Sequence, residues 1–282
     1  MFGFRVAACL AALAIAAPAV ADDSITVDCS RGNSVSEVLA DKARAHKPLV
    51  IRVQGVCTEH LTINGDDVTL EGDGVGAGIA GSVTIDGARR AVIARLTITN
   101  PTGDGVTVEN GATATIRENH IVNNGGFGVL LRNGAFALVN RNTLSHNGQT
   151  NRDASGILLL VGSTARGLRN VIEGNAFAGI EVADNGTYRS EGDVVTAAPS
   201  GRVAVNIYRA SFADMRGTTV TGLVDLNQQS YLQVRNAAGF DPSHVAGEIR
   251  VSGGFSYLRL RSGVTFTGPL NCLPVSTCFI DP

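Results

Sequence analysis

Tryptophan is absent from this 282-residue chain, tyrosine occurs four times, and aromatic residues make up only 5% of it. A long groove that holds sugars on ring faces needs more stacking platforms than that. Lysine is confined to Lys42 and Lys47, so no chemistry in the later two hundred residues has a lysine base. Beyond the first 21 residues no apolar run is long enough to cross a membrane. No C-x-x-C pair and no histidine cluster is present, which argues against a zinc site. The formal net charge is −2, excluding a generally basic surface for nucleic acid. Between Gly55 and Gly268 no window keeps a 3.6-residue apolar stripe over three turns, which excludes a helical domain.

In place of these features the chain carries a repeat. GVTVENGATATIRENHIVNN from Gly105, GVLLRNGAFALVNRNTLSHN from Gly128 and GILLLVGSTARGLRNVIEGN from Gly156 share one pattern. Asn119, Asn142 and Asn170 fall at one position of it and Asn124, Asn147 and Asn175 at another, with Ile121, Leu144 and Ile172 between them. A period of about 23 residues marks a stacked solenoid. The apolar residues alternate, as in Val106 and Val108 or Ile157 and Leu159, which is the period of strands. Gly, Asn and Asp bound each short run and favour turns. Buried asparagine amides are tolerated when they stack in a row that satisfies them, so the asparagines are expected to form structural ladders. The register continues to Leu96 upstream. Downstream it reaches Thr218, and also Asp193 if one residue is inserted near Asn185. About nine coils are expected, arranged as an all-β parallel solenoid.

The N-H-I-V-N-N and N-T-L-S-H-N elements at Asn119–Asn124 and Asn142–Asn147, the G-V-x-[VL] strands at Gly105 and Gly128, and GVCTEHLTINGDDVTLEGDG from Gly55 resemble the right-handed parallel β-helix proteins of the pectate-lyase-like superfold. Within it the likeness is to the NosD-like, right-handed β-helix repeat group. The resemblance covers roughly residues 48–268 and implies a right-handed helix with an N-terminal amphipathic helix as its plug. It implies little about activity, because this superfold carries many functions.

Arg5, the apolar run Val6–Ala17 and Ala19-Val20-Ala21 read as a signal peptide cleaved after Ala21. Its removal takes one arginine and no acid, moving the charge from −2 to −3. The mature chain, 22–282, is expected to be one domain, exported to the periplasm or beyond: an N-terminal cap over 22–54, coils over about 55–268 and a disulfide cap over 269–282. Ser34 to His46 is expected to be helical, with a Ser34/Glu37 capping box, an apolar face of Val35, Val38, Leu39 and Ala43, and a stop at Pro48. Cys29, Cys57, Cys272 and Cys278 allow three disulfide connectivities. Pairing within each end, Cys29–Cys57 and Cys272–Cys278, is the economical one. A solenoid also needs its open ends covered.

Catalytic signatures of β-helix enzymes are missing. No aspartate cluster recurs on adjacent coils for calcium, so no cofactor is expected, and Asp241-Pro242-Ser243-His244 only vaguely resembles an epimerase motif. Two clusters remain. The turn between Asn147 and Gly156 holds eight residues where its equivalents hold three, and insertions in solenoids gather on binding faces. Its Arg152 and Asp153, with His146 and His120, are the candidate catalytic group, acid–base chemistry on a sugar being what such residues can do. The plainer reading is a solvated loop. Asp184, Tyr188, Arg189 and Glu191 are the candidate substrate-binding group, and no metal ligands are expected. The arginines are scattered along the chain and read as compositional bias. The expected function is binding of a carbohydrate or another cell-envelope component by a monomer without a catalytic centre. The alternative is a polysaccharide lyase, hydrolase or epimerase with its site near the 148–155 loop. An accessory role like that of the NosD-like group is weakened by the lack of metal-ligand clusters.

Overall fold

A computed structural model describes residues 23–42, 48–199 and 203–282. The proposed signal peptide and the end of the expected helix, 43–46, lie outside the described residues. The chain winds as a parallel β-helix of about eleven turns. Each full turn gives one strand to each of three sheets, of 12, 10 and 10 strands. The first sheet runs from Asp23–Asp28 to Thr277–Ile280, the second from Val56–Cys57 to Thr265–Thr267, and the third from Leu61–Ile63 to Leu270–Cys272.

The sequence period becomes a spatial column. Ile98, Ile121, Leu144, Ile172, Val195, Val220 and Val245 pair in register along the second sheet. All seven are buried, giving the interior one branched residue per turn. The expected asparagine ladders stand beside this column. Asn142 Oδ1 accepts from the backbone N–H of Asn119 (2.9 Å) and from its Nδ2 (3.0 Å), while Asn142 Nδ2 donates to Ile116 O (2.8 Å) and Asn170 Oδ1 (3.1 Å). The second ladder repeats the scheme, with Asn124 Nδ2 donating to Asn147 Oδ1 at 2.7 Å and Asn147 Nδ2 to Asn175 Oδ1 at 2.9 Å. Glu118, Arg141 and Arg169, one residue before the first ladder, share the left-handed backbone (φ 53–59°) that turns the corner between the first and second sheets.

Asp193 ends the first ladder. Its Oδ1 accepts from Asn170 N and Nδ2 (2.8 and 2.9 Å), and its Oδ2 from Tyr188 Oη and Ser190 Oγ (2.8 and 2.7 Å). Burial nevertheless holds this carboxyl above its ordinary range, against the pull of those donors. A carboxyl whose folded pKa exceeds its unfolded one contributes stability that is fully present below the unfolded value, about 4, and is lost as pH rises through the folded value. Asp193 therefore contributes a fall in the urea midpoint from pH 4 upward, and Asp193→Asn should make the midpoint rise with pH relative to the parent protein. An unchanged slope in the variant would assign the pH dependence to other groups.

Three expectations are corrected. No residue is inserted near Asn185: Leu159 pairs with Val182 and Thr164 with Thr187, so the turn keeps its length. The solenoid has more turns than nine, because strands Asp23–Asp28 and Leu49–Gln54 of the expected N-terminal cap already pair in the first sheet. At the other end, Leu270–Cys272 and Thr277–Ile280 extend two sheets. These rungs lack the ladder asparagines that made the others legible. The helix α1 spans Val35–Lys42, and its capping carboxylate is not that of Glu37. Glu59 accepts from Val35 N (2.9 Å), Ser36 N (3.0 Å) and Ser34 Oγ (2.7 Å), while Ser34 Oγ accepts from Glu37 N at 3.2 Å. The helix lies against the strands Leu49–Gln54 and Leu61–Ile63 with Val35 buried, as a plug should. Both disulfides form as expected, Cys29–Cys57 and Cys272–Cys278. Among the described residues no helix is long and apolar enough to cross a membrane.

Candidate functional site

The outward-facing column of the third sheet runs Thr107, Leu130, Leu158, Glu181, Asn206, Asp225, Arg250, one residue per turn in register. Outward residues of a solenoid normally meet solvent, and Arg250 does. Yet Glu181 is only 6% exposed and Asn206 only 8%. The inserted turn explains part of this. Val129 pairs with Ile157, and Thr143 with His120, so the five extra residues lie between the second and third sheets. They do not project freely. Thr150 and Asn151 bond back to Gly125 O, and Ala154 and Ser155 are fully buried. Ser155 Oγ then donates to Glu181 Oε2 at 2.7 Å.

Glu181 is the centre of this recess. Its second oxygen accepts from Tyr208 Oη at 2.9 Å. Burial raises its pKa, the Ser155 and Tyr208 hydrogen bonds oppose that, and the Asp153 charge adds to the rise. The same burial, with the Glu181 charge, pushes the Tyr208 phenol well up. Arg209 lies 5.1 Å from the centre of the Tyr208 ring and pairs with Asp184 at 3.3 Å. Two turns above Glu181, burial raises the Asp225 carboxyl while Arg250 lowers it; its Oδ1 is buried without a partner among the described residues. Between the two carboxylates Asn206 has no side-chain hydrogen bond among the described residues. The strand that carries it, Val203–Ile207, shifts register between Val203 and Val205, a bulge of the kind that re-aims side chains at functional sites. Beside the recess a groove of about 520 Å³ runs along stacked turns, lined by Asp184, Asn185, Arg209, Gln228 and Gln229.

The structure does not unite the two residue groups proposed from sequence. His120 starts a strand of the second sheet, facing solvent between Thr97 and Thr143. His146 stands past the end of the next strand and packs over Gly174. Among the described residues neither imidazole is hydrogen-bonded. Asp153 is close enough to Glu181 to act on it, and Arg152 belongs to the same turn. Of the second group, Asp184 edges the recess through Arg209. Tyr188 is corrected outright: its ring is fully buried and its hydroxyl serves Asp193, so it cannot meet a substrate. Arg189 and Glu191 lie on the outer face of the first sheet. Glu181 and Tyr208 escaped the sequence reading because strand alternation gives no sign of what covers an outward residue. A grouping of three potential metal ligands exists among the described residues at Cys29, Cys57 and Glu59, but both sulfurs are in the disulfide.

A solenoid of three parallel sheets with internal asparagine ladders defines the class, and the sequence comparison agrees. The profile described as "Right handed beta helix region" matches residues 54–220, more than half of the chain. The protein belongs to the right-handed β-helix family. Pectate lyase Pel9A superposes with a TM-score of 0.59 at 12% identity, over 92% of this chain and 79% of that one. The Streptococcus pneumoniae surface protein and adhesin PfbA matches at TM-score 0.33 and 10% identity, over 91% and 99%. At 12% identity the likeness to Pel9A is one of fold. No curated protein matches the sequence significantly.

Proposed function

We propose that this protein is an exported carbohydrate-binding β-helix whose ligand occupies the recess around Glu181 on the outer face of the third sheet. Asp225 carries the reading. Its Oδ1 is buried with no partner among the described residues, which is costly unless something else satisfies it. Beside it the Asn206 amide donates and accepts and the carboxylates accept, which suits the hydroxyls of a sugar. Four acids (Glu181, Asp153, Asp184, Asp225) face two arginines (Arg209, Arg250) here, so a neutral saccharide fits better than an acidic one. Export is supported by the two disulfides, which persist in oxidising compartments.

Calorimetric titration of the full chain with a panel of neutral oligosaccharides tests this. Asn206→Ala should weaken binding by about tenfold or more, the equivalent of about 1.4 kcal/mol, while His146→Ala should leave it unchanged. Equal affinity in Asn206→Ala would take the ligand away from this recess.

A catalytic reading is kept by one observation. Burial holds Glu181 above the ordinary carboxylate range with Asp153 nearby, the environment in which a carboxyl can act as a proton donor. The proposed lyase, hydrolase or epimerase would then use the 148–155 turn through Asp153 and Ser155, without the histidines. The binding reading expects no new reducing ends and no unsaturated products from any polymer. Turnover abolished in Glu181→Gln would establish catalysis instead.

A further inference from the structure

The arginines that look scattered in the sequence are gathered by the winding. On the outer face of the first sheet, Arg166 stacks on Arg189, Arg189 on Asp214, Asp214 on Gln233 and Gln233 on Arg259. In the neighbouring column Glu191 stacks on Arg216 and Arg216 on Arg235, and Arg261 follows. From Thr164 to Asp281 this face carries six arginines and three carboxylates, leaving +3 on one strip of a chain whose net charge is −2. The remainder of the molecule therefore carries −5.

Pairing within the strip is incomplete in a regular way, because each carboxylate is shared by two guanidiniums. Glu191 takes Arg166 (2.9 Å) and Arg216 (3.6 Å), Asp214 takes Arg216 and Arg235 (both 2.7 Å), and Asp281 takes Arg259 (3.2 Å) and Arg261 (3.1 Å). Arg189 is exposed and has no partner among the described residues. A guanidinium offers five donors in a fork, so each of these arginines keeps donors that no carboxylate of the strip takes. Like charges directly opposite on neighbouring strands are also unfavourable, and Arg166/Arg189 and Arg216/Arg235 are two such pairs. For Arg189, which pairs with no carboxylate among the described residues, folding stability does not account for the placement.

The strip runs in register from rung to rung. From Arg166 to Arg261 it covers four rung steps of about 4.8 Å, or about 19 Å along the helix axis, and offers at least one guanidinium on every rung but no more than two. Phe212, Tyr231 and Tyr257 border it, stacked on one another at 5.1 and 4.9 Å. Their inner faces are thus occupied by each other, leaving the half-exposed Phe279 at the end of the strip, fewer platforms than the successive stacked bases of a single-strand binder require. Linear spacing, forked donors and occupied rings together favour a chain of regularly spaced acid groups over a nucleic acid or an isolated anion.

We propose that the outer face of the first sheet, from Arg166 to Arg261, is a second binding surface, independent of the recess, and that it takes a linear anionic polysaccharide. Carboxylated and sulfated glycans share the chemistry that this surface recognises, and the test separates them.

Fluorescence anisotropy with the full chain reads binding of labelled oligo-uronate, labelled sulfated dextran, labelled neutral dextran and a single-stranded oligodeoxynucleotide of matched charge. The expected result is binding of one or both acidic glycans, weakening steeply with salt, and at least tenfold weaker in Arg166→Ala/Arg189→Ala. Arg189 has no partner among the described residues, so Arg189→Ala alone, at unchanged melting temperature, should already weaken binding about threefold. Asn206→Ala should have no effect on it, which separates this surface from the recess. Uronate bound more tightly than sulfated dextran assigns carboxylates, and the reverse assigns sulfates; either supports the proposal. Unchanged affinity in both arginine variants, no binding of either acidic glycan, or an oligodeoxynucleotide bound as tightly as the better glycan would overturn it.

Discussion

Asn142→Ala is expected to lower the unfolding free energy by about 3–5 kcal/mol, since two or three orphaned buried groups at about 1–3 kcal/mol each add up to that. The substitution strips the Asn119 amide N–H and side-chain NH₂ of their shared acceptor, and Ile116 O of its donor. None of these groups reaches water, because Asn119 and Asn142 are each 1% exposed. Urea unfolding followed by circular dichroism measures the effect. A solenoid is stabilised by nearest-neighbour interfaces, so the lesion should loosen the turns on either side more than the ends of the rod. A loss below about 1 kcal/mol, the net worth of one ordinary hydrogen bond, would mean that water replaces the amide and the ladder is not dry.

Gly167→Ala should be nearly as damaging, for a reason of shape. In the first sheet the inward column that includes Ala137, Ala165 and Ala213 receives the large ring of Tyr188. That ring is accommodated because the adjacent column, with Val139 one turn earlier, narrows to Gly167. A Cβ at Gly167 would sit 2.0 Å from Tyr188 Oη and 2.3 Å from Asp193 Oδ2. Overpacking of this kind costs about 1–3 kcal/mol, and displacing the phenol from the buried carboxylate adds the loss of a charge-assisted hydrogen bond, about 1.5–3 kcal/mol. A destabilisation of roughly 3–5 kcal/mol follows from adding the two. The double variant Gly167→Val/Tyr188→Ala restores the pairing of small and branched residues found one turn earlier, and should lose clearly less than the two single changes added together. Strict additivity in that cycle would refute the packing argument.

Together the two cases show which part of the molecule the repeat encodes. Asn119, Asn142 and Asn170 recur at a fixed place because a ladder works only when every turn supplies its own rung. A reader of the sequence can therefore find the ladder, the inward column from Ile98 to Val245, and the corner residues Glu118, Arg141 and Arg169. The helix α1 and the disulfides were legible for a similar reason, being local patterns at the two ends. Tyr188 was not. It sits among alanines in its column, and only the neighbouring glycine makes room for it. A tyrosine with acids and an arginine nearby in sequence looks like a surface group until the strand alternation is fixed, and an assumed insertion near Asn185 obscured that alternation.

The amino-acid sequence by itself determined the parallel β-solenoid, its period, the ladders and the stapled ends, because each is a local pattern repeated in step with the backbone. Only the tertiary structure decided what the outer faces are. Glu181, Asn206 and Asp225 are far apart along the chain, as are Arg166, Arg189, Arg216 and Arg235. Winding converts each separation of about 23 residues into about 4.8 Å, so scattered residues become columns. Whether an outward residue is then exposed depends on a turn folded over it from a different part of the coil, as the 148–155 turn folds toward Glu181. Strand alternation specifies inside and outside, but it carries no record of what lies over the outside.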